Sequence, residues 1–346
     1  MEIYLDKDFV RNFWTFRPND QNVWDDFEKE FLKKISNFKL ITNYQSIEEM
    51  ATNEKDSIFL ELFADKMNQR IEFVGEKTKE EWIEESISNS GGFKIFLVEL
   101  EDMAFDFFSS TAGYEFISTK NLEVVWKKYI TKEVKKSIDI PPNSKDSDLF
   151  NEWRDLEMVK NSPTNSIIVV DKYILCDKSN QKIEDNLIPI LDMIIPSKYF
   201  GRLDVLIIAE EIKSIERNRL TEVKVKEILD RFKKYFSKYQ SIDLRFKILI
   251  HDKSFYPKDS MNFHDRFIYT NYYTLESGAG FNLFEGKKRI CANSKVEIHF
   301  NFQSYYMRIL PRHMEGLEKY IEKVKRMEVM KDRFKFYPDV ECKLLN

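Results

Sequence analysis

The stretches SIIVVDKYIL (166–175) and LDVLIIAEE (203–211) decide the fold of the second half of this chain. Both contain near-continuous runs of Ile, Val and Leu, which are typical of strands buried on both faces. The segment TEVKVKEILDRFKKYF (221–236) places its apolar side chains on one helical stripe, behind Thr221 as a capping residue. Strands that alternate with helices predict an α/β domain with a largely parallel sheet.

The first half repeats this alternation of strands and helices. Its predicted strands are rich in aromatic and β-branched residues: IYL (3–5), FKLIT (38–42), IEFV (71–74), KIFLVEL (94–100) and YEFIS (114–118). The Pro pair and polar run of DIPPNSKDSD (139–148) predict a domain boundary. We therefore expect two α/β domains, at 1–140 and 141–346.

The composition predicts a folded chain with no transmembrane segment. Of the 346 residues, 42% are hydrophobic and 33% are charged, which excludes both a disordered chain and a membrane protein. The N-terminus lacks the basic-then-apolar layout of a signal peptide, so we expect a cytoplasmic location. Residues 1–140 contain 19 Lys and Arg against 28 Asp and Glu, a balance of −9 that leaves +5 for the remainder. This asymmetry predicts separate roles for the two halves.

The segment FHDRFIYTNYYTLESGAGFNLF (263–284) has the most informative spacing in the sequence. His264, Arg266, Asn271 and Gly278 form H-x-R-x4-N-x6-G, which resembles a degenerate phospholipase-D motif, H-x-K-x4-D-x6-G-S. The resemblance implies a histidine that attacks phosphorus, a cation that neutralises the phosphoryl oxygens, and a glycine turn that the phosphate approaches. It predicts His264 as catalytic and the other three residues as phosphate-binding. Asn271 lacks the charge that would support an imidazolium.

The same segment resembles more closely the phospholipase-D-like domain at the C-terminus of MIT-domain proteins and in standalone prokaryotic relatives. The match lies in the triplet His264-Asp265-Arg266 and in GAGFNLF (278–284). The resemblance implies a phosphate-facing domain in which hydrolysis is not assured. Eukaryotic members are regarded as membrane-lipid binders, and prokaryotic relatives are associated with defence. It also implies a homodimer, since an active site of this type combines two motifs and this chain supplies one convincing copy.

Other side chains around this motif have two interpretations. His299 shares the polar face of VEIHFNF (296–302) with Glu297, as a hydrogen-bonded sheet histidine or as part of a site. Tyrosines at 269, 272 and 273 fit either sheet packing or base stacking. We expect one strand over 267–273 and a turn near 276–278.

Carboxylates follow two predicted strands of the first half. Asp6 closes the first strand, and Asp102 and Asp106 follow KIFLVEL on one face of a predicted helix. Because α/β folds place ligands at the carboxyl ends of parallel strands, these acids predict a Mg²⁺ or Mn²⁺ site that activates water for phosphodiester cleavage. The order resembles a divergent PIN-type nuclease domain. That resemblance implies Glu61 and Asp65 as middle acids, and Asp6 and Asp102 as catalytic residues.

Two classes of function remain open from the sequence. One is nucleic-acid processing or recognition in prokaryotic defence, with metal-dependent cleavage by the first domain and phosphate recognition by the second. The other is a non-enzymatic sensor or adaptor whose second domain binds a phosphate-bearing ligand or a protein partner. A third interpretation keeps His264 as the nucleophile of a phosphodiesterase. Metal-dependent cleavage would favour the acids, EDTA-resistant cleavage the histidine, and binding without turnover the adaptor.

Overall fold

The chain forms two α/β units in the computed structural model, which confirms the predicted fold class. The contacts divide it into Met1–Glu133 and Val134–Asn346. The structure describes residues 1–15, 31–33, 35, 38–53, 56–57, 59, 71–75, 77–88, 92–126, 136–140, 152–153, 156, 159–160, 162–176, 181–211, 220–252, 266–285, 288–289, 294–326, 334–337 and 342–345. None of the helices in these ranges is both long and apolar enough to span a membrane.

The first unit contains a parallel five-stranded sheet. Its strands are β1 (Glu2–Leu5), β2 (Lys39–Thr42), β3 (Ile71–Phe73), β4 (Lys94–Leu97) and β5 (Glu115–Ile117). They lie in the order β3-β2-β1-β4-β5, with β1 in the centre. The helices described in this unit are α1 (Lys7–Phe13), α2 (Ile47–Thr52), α3 (Lys79–Ser88), α4 (Asp102–Thr111) and α5 (Leu122–Trp126).

Aromatic side chains on β1, β4 and β5 form much of the core of this unit. The ring of Tyr4 stacks on Phe96 at 4.5 Å between centroids, and Phe96 stacks on Phe116 at 4.6 Å. Trp82 of α3 joins the same cluster and is fully buried. The apolar positions that predicted strands are therefore the positions that hold α3 against the sheet.

The second unit contains a mixed eight-stranded sheet. Its strands are β6 (Lys136–Ile140), β7 (Ser166–Val170), β8 (Arg202–Glu211), β9 (Asp243–Asp252), β10 (Arg266–Tyr269), β11 (Tyr273–Ser277), β14 (Ser294–Phe300) and β15 (Phe334–Tyr337); β12 (Phe284–Glu285) and β13 (Lys288–Arg289) form a separate pair. The order is β15-β9-β8-β7-β10-β11-β14-β6. Strands β7, β8 and β9 run parallel, and the other neighbouring pairs are antiparallel.

Three helices longer than one turn are described in this unit. They are α6 (Ile188–Ile194), which continues a π-helical turn at Ile183–Leu187, α7 (Glu222–Phe236) and α8 (Ser304–Arg326). Helix α7 begins as predicted, because the Thr221 hydroxyl accepts a hydrogen bond from Lys224 N at 3.2 Å.

Two predictions about this unit differ from the structure. Residues 136–140, which the predicted boundary placed in the first domain without a strand, form β6 and pair with β14 of the second sheet. The single strand expected over 267–273 is two strands joined at Thr270, because the Thr270 hydroxyl accepts hydrogen bonds from Tyr272 N and Tyr273 N. Such local bonds compete with a strand ladder and favour a turn.

Candidate phosphate-binding site

Arg266 lies at one end of the hairpin β10–β11, beside the first glycine of the predicted motif. It pairs with Ser277 in the strand register, and its Nη1 donates a hydrogen bond to the carbonyl oxygen of Gly278. Its guanidinium carbon is 5.8 Å from the centre of the Tyr173 ring, which is 38% exposed. The structure therefore brings two predicted residues, Arg266 and Gly278, into direct contact and adds an aromatic neighbour.

The loop 278–284, which we call the glycine loop, is anchored by hydrogen bonding to the buried side chain of Asp171. This carboxylate accepts hydrogen bonds from Phe281 N and Tyr173 N, both at 2.8 Å. Gly280 has a φ of +92°, and a Cβ atom there would lie 3.0 Å from Asp171 Oδ2. Glycine is needed at that position both for the left-handed backbone and for the close approach.

A second anchor of the glycine loop is the buried side chain of Asn186. Its Oδ1 accepts hydrogen bonds from Leu283 N and Phe284 N at 2.9 Å, and its Nδ2 donates to Phe284 O at 2.8 Å. Asp171 and Asn186 are the residues that our sequence reasoning missed. A carboxylate directly after the apolar run SIIVV was a usable signal for Asp171, whereas nothing local distinguishes Asn186.

The electrostatics of this region centre on the buried carboxyl group of Asp171. Burial raises its pKa above the ordinary value, while the backbone donors and the charge of Arg266 act in the opposite direction. Arg266 thus acts electrostatically on a buried carboxyl group that already accepts hydrogen bonds from backbone N–H groups. Its Nε is buried, and no group among the described residues accepts a hydrogen bond from it.

One other residue of the predicted motif, Asn271, does not join this site. Asn271 lies in the turn at the opposite end of the hairpin, where it is fully buried and exchanges hydrogen bonds with Asn165 at 3.1 Å. The hairpin separates it from Arg266 by roughly 15 Å at about 3.3 Å per residue. The structure therefore assigns Asn271 to the turn rather than to the phosphate that Arg266 would bind. His264 lies outside the described residues.

Asp6, the predicted catalytic acid of the first unit, already has a full set of partners. It is 0% exposed and accepts hydrogen bonds from Asn43 Nδ2 at 2.9 Å, Glu99 N at 3.1 Å and Asp8 N at 3.3 Å. The ammonium group of Lys79 lies 2.7 Å from Asp6 Oδ2, 2.8 Å from Asp8 Oδ2 and 2.6 Å from Glu99 O. A lysine ammonium thus supplies the positive charge at the carboxyl end of β1.

Burial alone would lower the pKa of Lys79, but its hydrogen bonds to Asp6 and Asp8 outweigh burial and raise that pKa. The lysine therefore remains protonated at neutral pH. The Lys79 ammonium group, surrounded by three oxygen atoms, supplies here the positive charge that a metal ion would otherwise supply.

The other predicted metal ligands of this unit do not converge with Asp6. The side chain of Asp102 is 88% exposed and pairs with Lys120 at 3.2 Å, and Asp106 is exposed on the same helix. Within the described ranges, the first unit contains no group of three His, Cys, Asp or Glu side chains close enough to share a metal ion. Glu61 and Asp65 lie outside those ranges. The Mg²⁺ or Mn²⁺ site therefore stays a prediction, and the structure does not assemble its ligands from Asp6, Asp102 and Asp106.

Comparison with known proteins finds distant structural similarity. No family model and no curated protein matches the sequence. The chain is similar to the crystal structure of phosphatidylserine synthase from Haemophilus influenzae Rd KW20, with 9% sequence identity and a TM-score of 0.30. The similarity covers 90% of this chain and 85% of that chain. A similarity at this level says nothing about the activity of this chain.

Proposed function

We propose that the second unit binds a phosphodiester-bearing ligand at Arg266 and the glycine loop. The observation that carries this proposal is the state of the guanidinium group. One Nη1–H is committed to Gly278 O, while Nε is buried without an acceptor among the described residues. A guanidinium group presents five N–H donors in a planar fork that matches phosphate oxygens. A phosphate oxygen is a suitable acceptor for the remaining donors.

The position of Arg266 in the sheet supports the proposal. Strand β10 runs antiparallel to β7, so Arg266 lies beside the carboxyl end of β7, where the parallel part of the sheet meets the antiparallel part. Ligands of open α/β sheets bind outside the carboxyl ends of the strands, at a change in strand arrangement. The glycine loop lies at the same end and lets backbone approach a ligand.

We propose that the ligand is a single-stranded nucleic acid, because Tyr173 lies beside Arg266. Its partly exposed ring adjoins the guanidinium group of Arg266. An aromatic platform beside a phosphate-binding cation is the combination with which proteins hold single strands. Neither a lipid headgroup nor inorganic phosphate would require the ring. Hydrolysis by His264 and a role in defence stay predictions from the family resemblance.

The test is fluorescence anisotropy with labelled single-stranded DNA and RNA. We expect Arg266→Ala to weaken binding by about 1–3 kcal/mol, because a charge-assisted contact is lost. Arg266→Lys should restore only part of the affinity, since the ammonium lacks the fork. The matched control is Arg245→Ala, which removes an exposed arginine paired with Asp243 near the amino end of β9. This control should leave binding within experimental error.

Three further measurements make the test decisive. Tyr173→Leu should weaken nucleic-acid binding without changing the competition by inorganic phosphate, because it removes only the stacking surface. Equal loss of binding in Arg266→Ala and Arg245→Ala would contradict the proposal, since it would indicate a nonspecific charge effect. A large drop in the urea midpoint of Arg266→Ala, with no ligand found among nucleic acids and phosphoinositide headgroups, would instead assign Arg266 to the neutralisation of Asp171. Product formation with and without EDTA reports whether any cleavage needs a metal.

A further inference from the structure

Two glutamates and a histidine share one face of the strands β11 and β14. Glu276 lies directly opposite Glu297 in the antiparallel register, and His299 follows two residues later on β14, opposite Thr274. Because side chains alternate between faces, all three project to the same side of the sheet. Arg266 pairs with Ser277 and so lies on the other face, which separates this cluster from the proposed phosphate site.

The three side chains offer one ligand atom each within a small volume. His299 Nε2 is 3.2 Å from Glu297 Oε2 and 3.8 Å from Glu276 Oε2, and all three atoms lie within 4.8 Å of one another. Four ligands at the Zn²⁺ bond lengths of 2.0–2.1 Å stand about 3.3–3.4 Å apart in a tetrahedron. Small rotations of the two carboxylates would reach this spacing.

Neighbouring groups orient these ligand atoms. The His299 ring stacks on Tyr306 of α8 with 4.2 Å between centroids, and the Tyr306 hydroxyl is 3.1 Å from Glu276 Oε2. Lys295 pairs with Oε1 of Glu297, while Oε2 of that carboxylate is the oxygen nearest His299. Metal ligands in proteins are usually held by such outer partners.

Burial distinguishes this cluster from an ordinary group of surface acids. His299 is 3% exposed, whereas the side chains of Glu297 and Glu276 are 16% and 36% exposed. The imidazole of His299 is therefore buried, whereas the carboxylate of Glu276 is accessible to a metal ion from solvent.

We propose that Glu276, Glu297 and His299 bind a divalent transition-metal ion, with Zn²⁺ as the best match. Two carboxylates and one imidazole are ligands that suit Zn²⁺, and three protein ligands leave a fourth position open. Glu276 and Glu297 lie directly opposite each other on adjacent strands, and a divalent ion would add positive charge between them to that of Lys295, which pairs with Glu297. The alternative is a protonated His299 that bridges the carboxylates, and the experiment below decides between them.

The experiment is calorimetric titration of the chelator-stripped full chain with ZnCl₂. We expect one Zn²⁺ per chain, with binding abolished in His299→Ala. Glu276→Gln keeps the shape of a partly exposed side chain, and it should weaken binding by about 10-fold or more while circular dichroism stays unchanged. Tyr306→Phe tests a positioning residue, and it should weaken binding by a similar factor without removing a ligand. The visible spectrum of bound Co²⁺ should change in both of these variants.

The control is His313→Ala, which removes a histidine that hydrogen-bonds Tyr269 and packs against Phe267. It should bind Zn²⁺ as the unsubstituted chain does. The proposal is overturned if the folded chain shows no saturable binding at a tenfold excess of ZnCl₂, which would leave the protonated histidine as the explanation. It is also overturned if Glu276→Gln binds Zn²⁺ unchanged, or if His313→Ala loses as much affinity as Glu276→Gln.

Discussion

Replacing Lys79 by methionine should destabilise the first unit by about 3 kcal/mol, because it breaks a buried ion pair. Methionine keeps most of the apolar stem and removes the ammonium group, which lies 2.7 Å from Asp6 Oδ2. The Asp6 side chain is 0% exposed, so its charge would lose its counter-ion where water cannot replace it. A broken buried pair costs about 3–5 kcal/mol, and the 19% exposure of Lys79 places our expectation at the lower end.

Urea unfolding of the full chain, followed by tryptophan fluorescence to which the buried Trp82 of the first unit contributes, measures this effect. With a slope of about 1.5 kcal/mol per M urea, the expected change lowers the midpoint of the first unit by about 2 M. The matched control is Lys120→Met, whose ammonium lies 3.2 Å from Asp102 with both side chains largely exposed. A surface pair of this kind should change the free energy of unfolding by less than about 1 kcal/mol.

A double-mutant cycle with Asp6→Asn isolates the pair itself. We expect Lys79→Met to cost much less in the Asp6→Asn background, because the buried charge is then absent. The reasoning is refuted if Lys79→Met and Lys120→Met have equal midpoints, or if the cycle gives no coupling between Asp6 and Lys79. Stabilisation of the unsubstituted chain by Mn²⁺ that Asp6→Asn abolishes would also refute it, since Asp6 would then bind a metal ion.

Three further outcomes can be measured with the same preparations. Gly280→Ala should cost about 1–2 kcal/mol in the urea unfolding of the second unit, since it combines a positive φ with contact to Asp171, whereas Gly278→Ala, with no atom within 4 Å of its Cβ, should cost under about 0.5 kcal/mol. Burial alone would raise the pKa of Asp8, but Lys79 outweighs burial and lowers that pKa below its ordinary value of 3.8. The stability that the Asp8–Lys79 ion pair contributes is therefore fully present above pH 3.8 and is lost as the pH falls through the lowered pKa. Lys79→Met should therefore flatten the acid limb of the midpoint against pH. Sedimentation velocity should show the homodimer that the family resemblance implies, and a strict monomer would remove a composite active site.

Most of the fold could be predicted from the sequence because local patterns of apolar and polar residues indicate the strands. The apolar run at 166–170 and the alternation at 296–300 became β7 and most of β14, since burial on two faces or on one face determines which residues a strand can carry. The turn at Thr270 was missed because its aromatic neighbours have high strand propensity. Pro311 lies inside α8, so this proline does not mark the start of a helix.

The candidate site was predictable only in part. The spacing of the motif placed Arg266 beside Gly278, because two antiparallel strands bring these positions together. The anchors Asp171 and Asn186 come from elements about 100 residues earlier, and no local pattern encodes a partner at that separation. Lys79 was missed for the same reason, since the sequence alone does not show that its ammonium group reaches Asp6.

The pairing of β6 with β14 has a consequence for synthesis on the ribosome. The two strands are joined across the interval from Ile140 to Ser294, so at about 5–20 residues per second β6 leaves the ribosome roughly 8–30 s before its partner. The first unit is complete at Glu133 and has that interval in which to fold. Until β14 emerges, the backbone of β6 has no partner in its own sheet, which makes this nascent strand a target for chaperones. A fragment that begins at residue 141 would lack β6, so β14 would become the edge strand with unpaired backbone N–H and C=O groups.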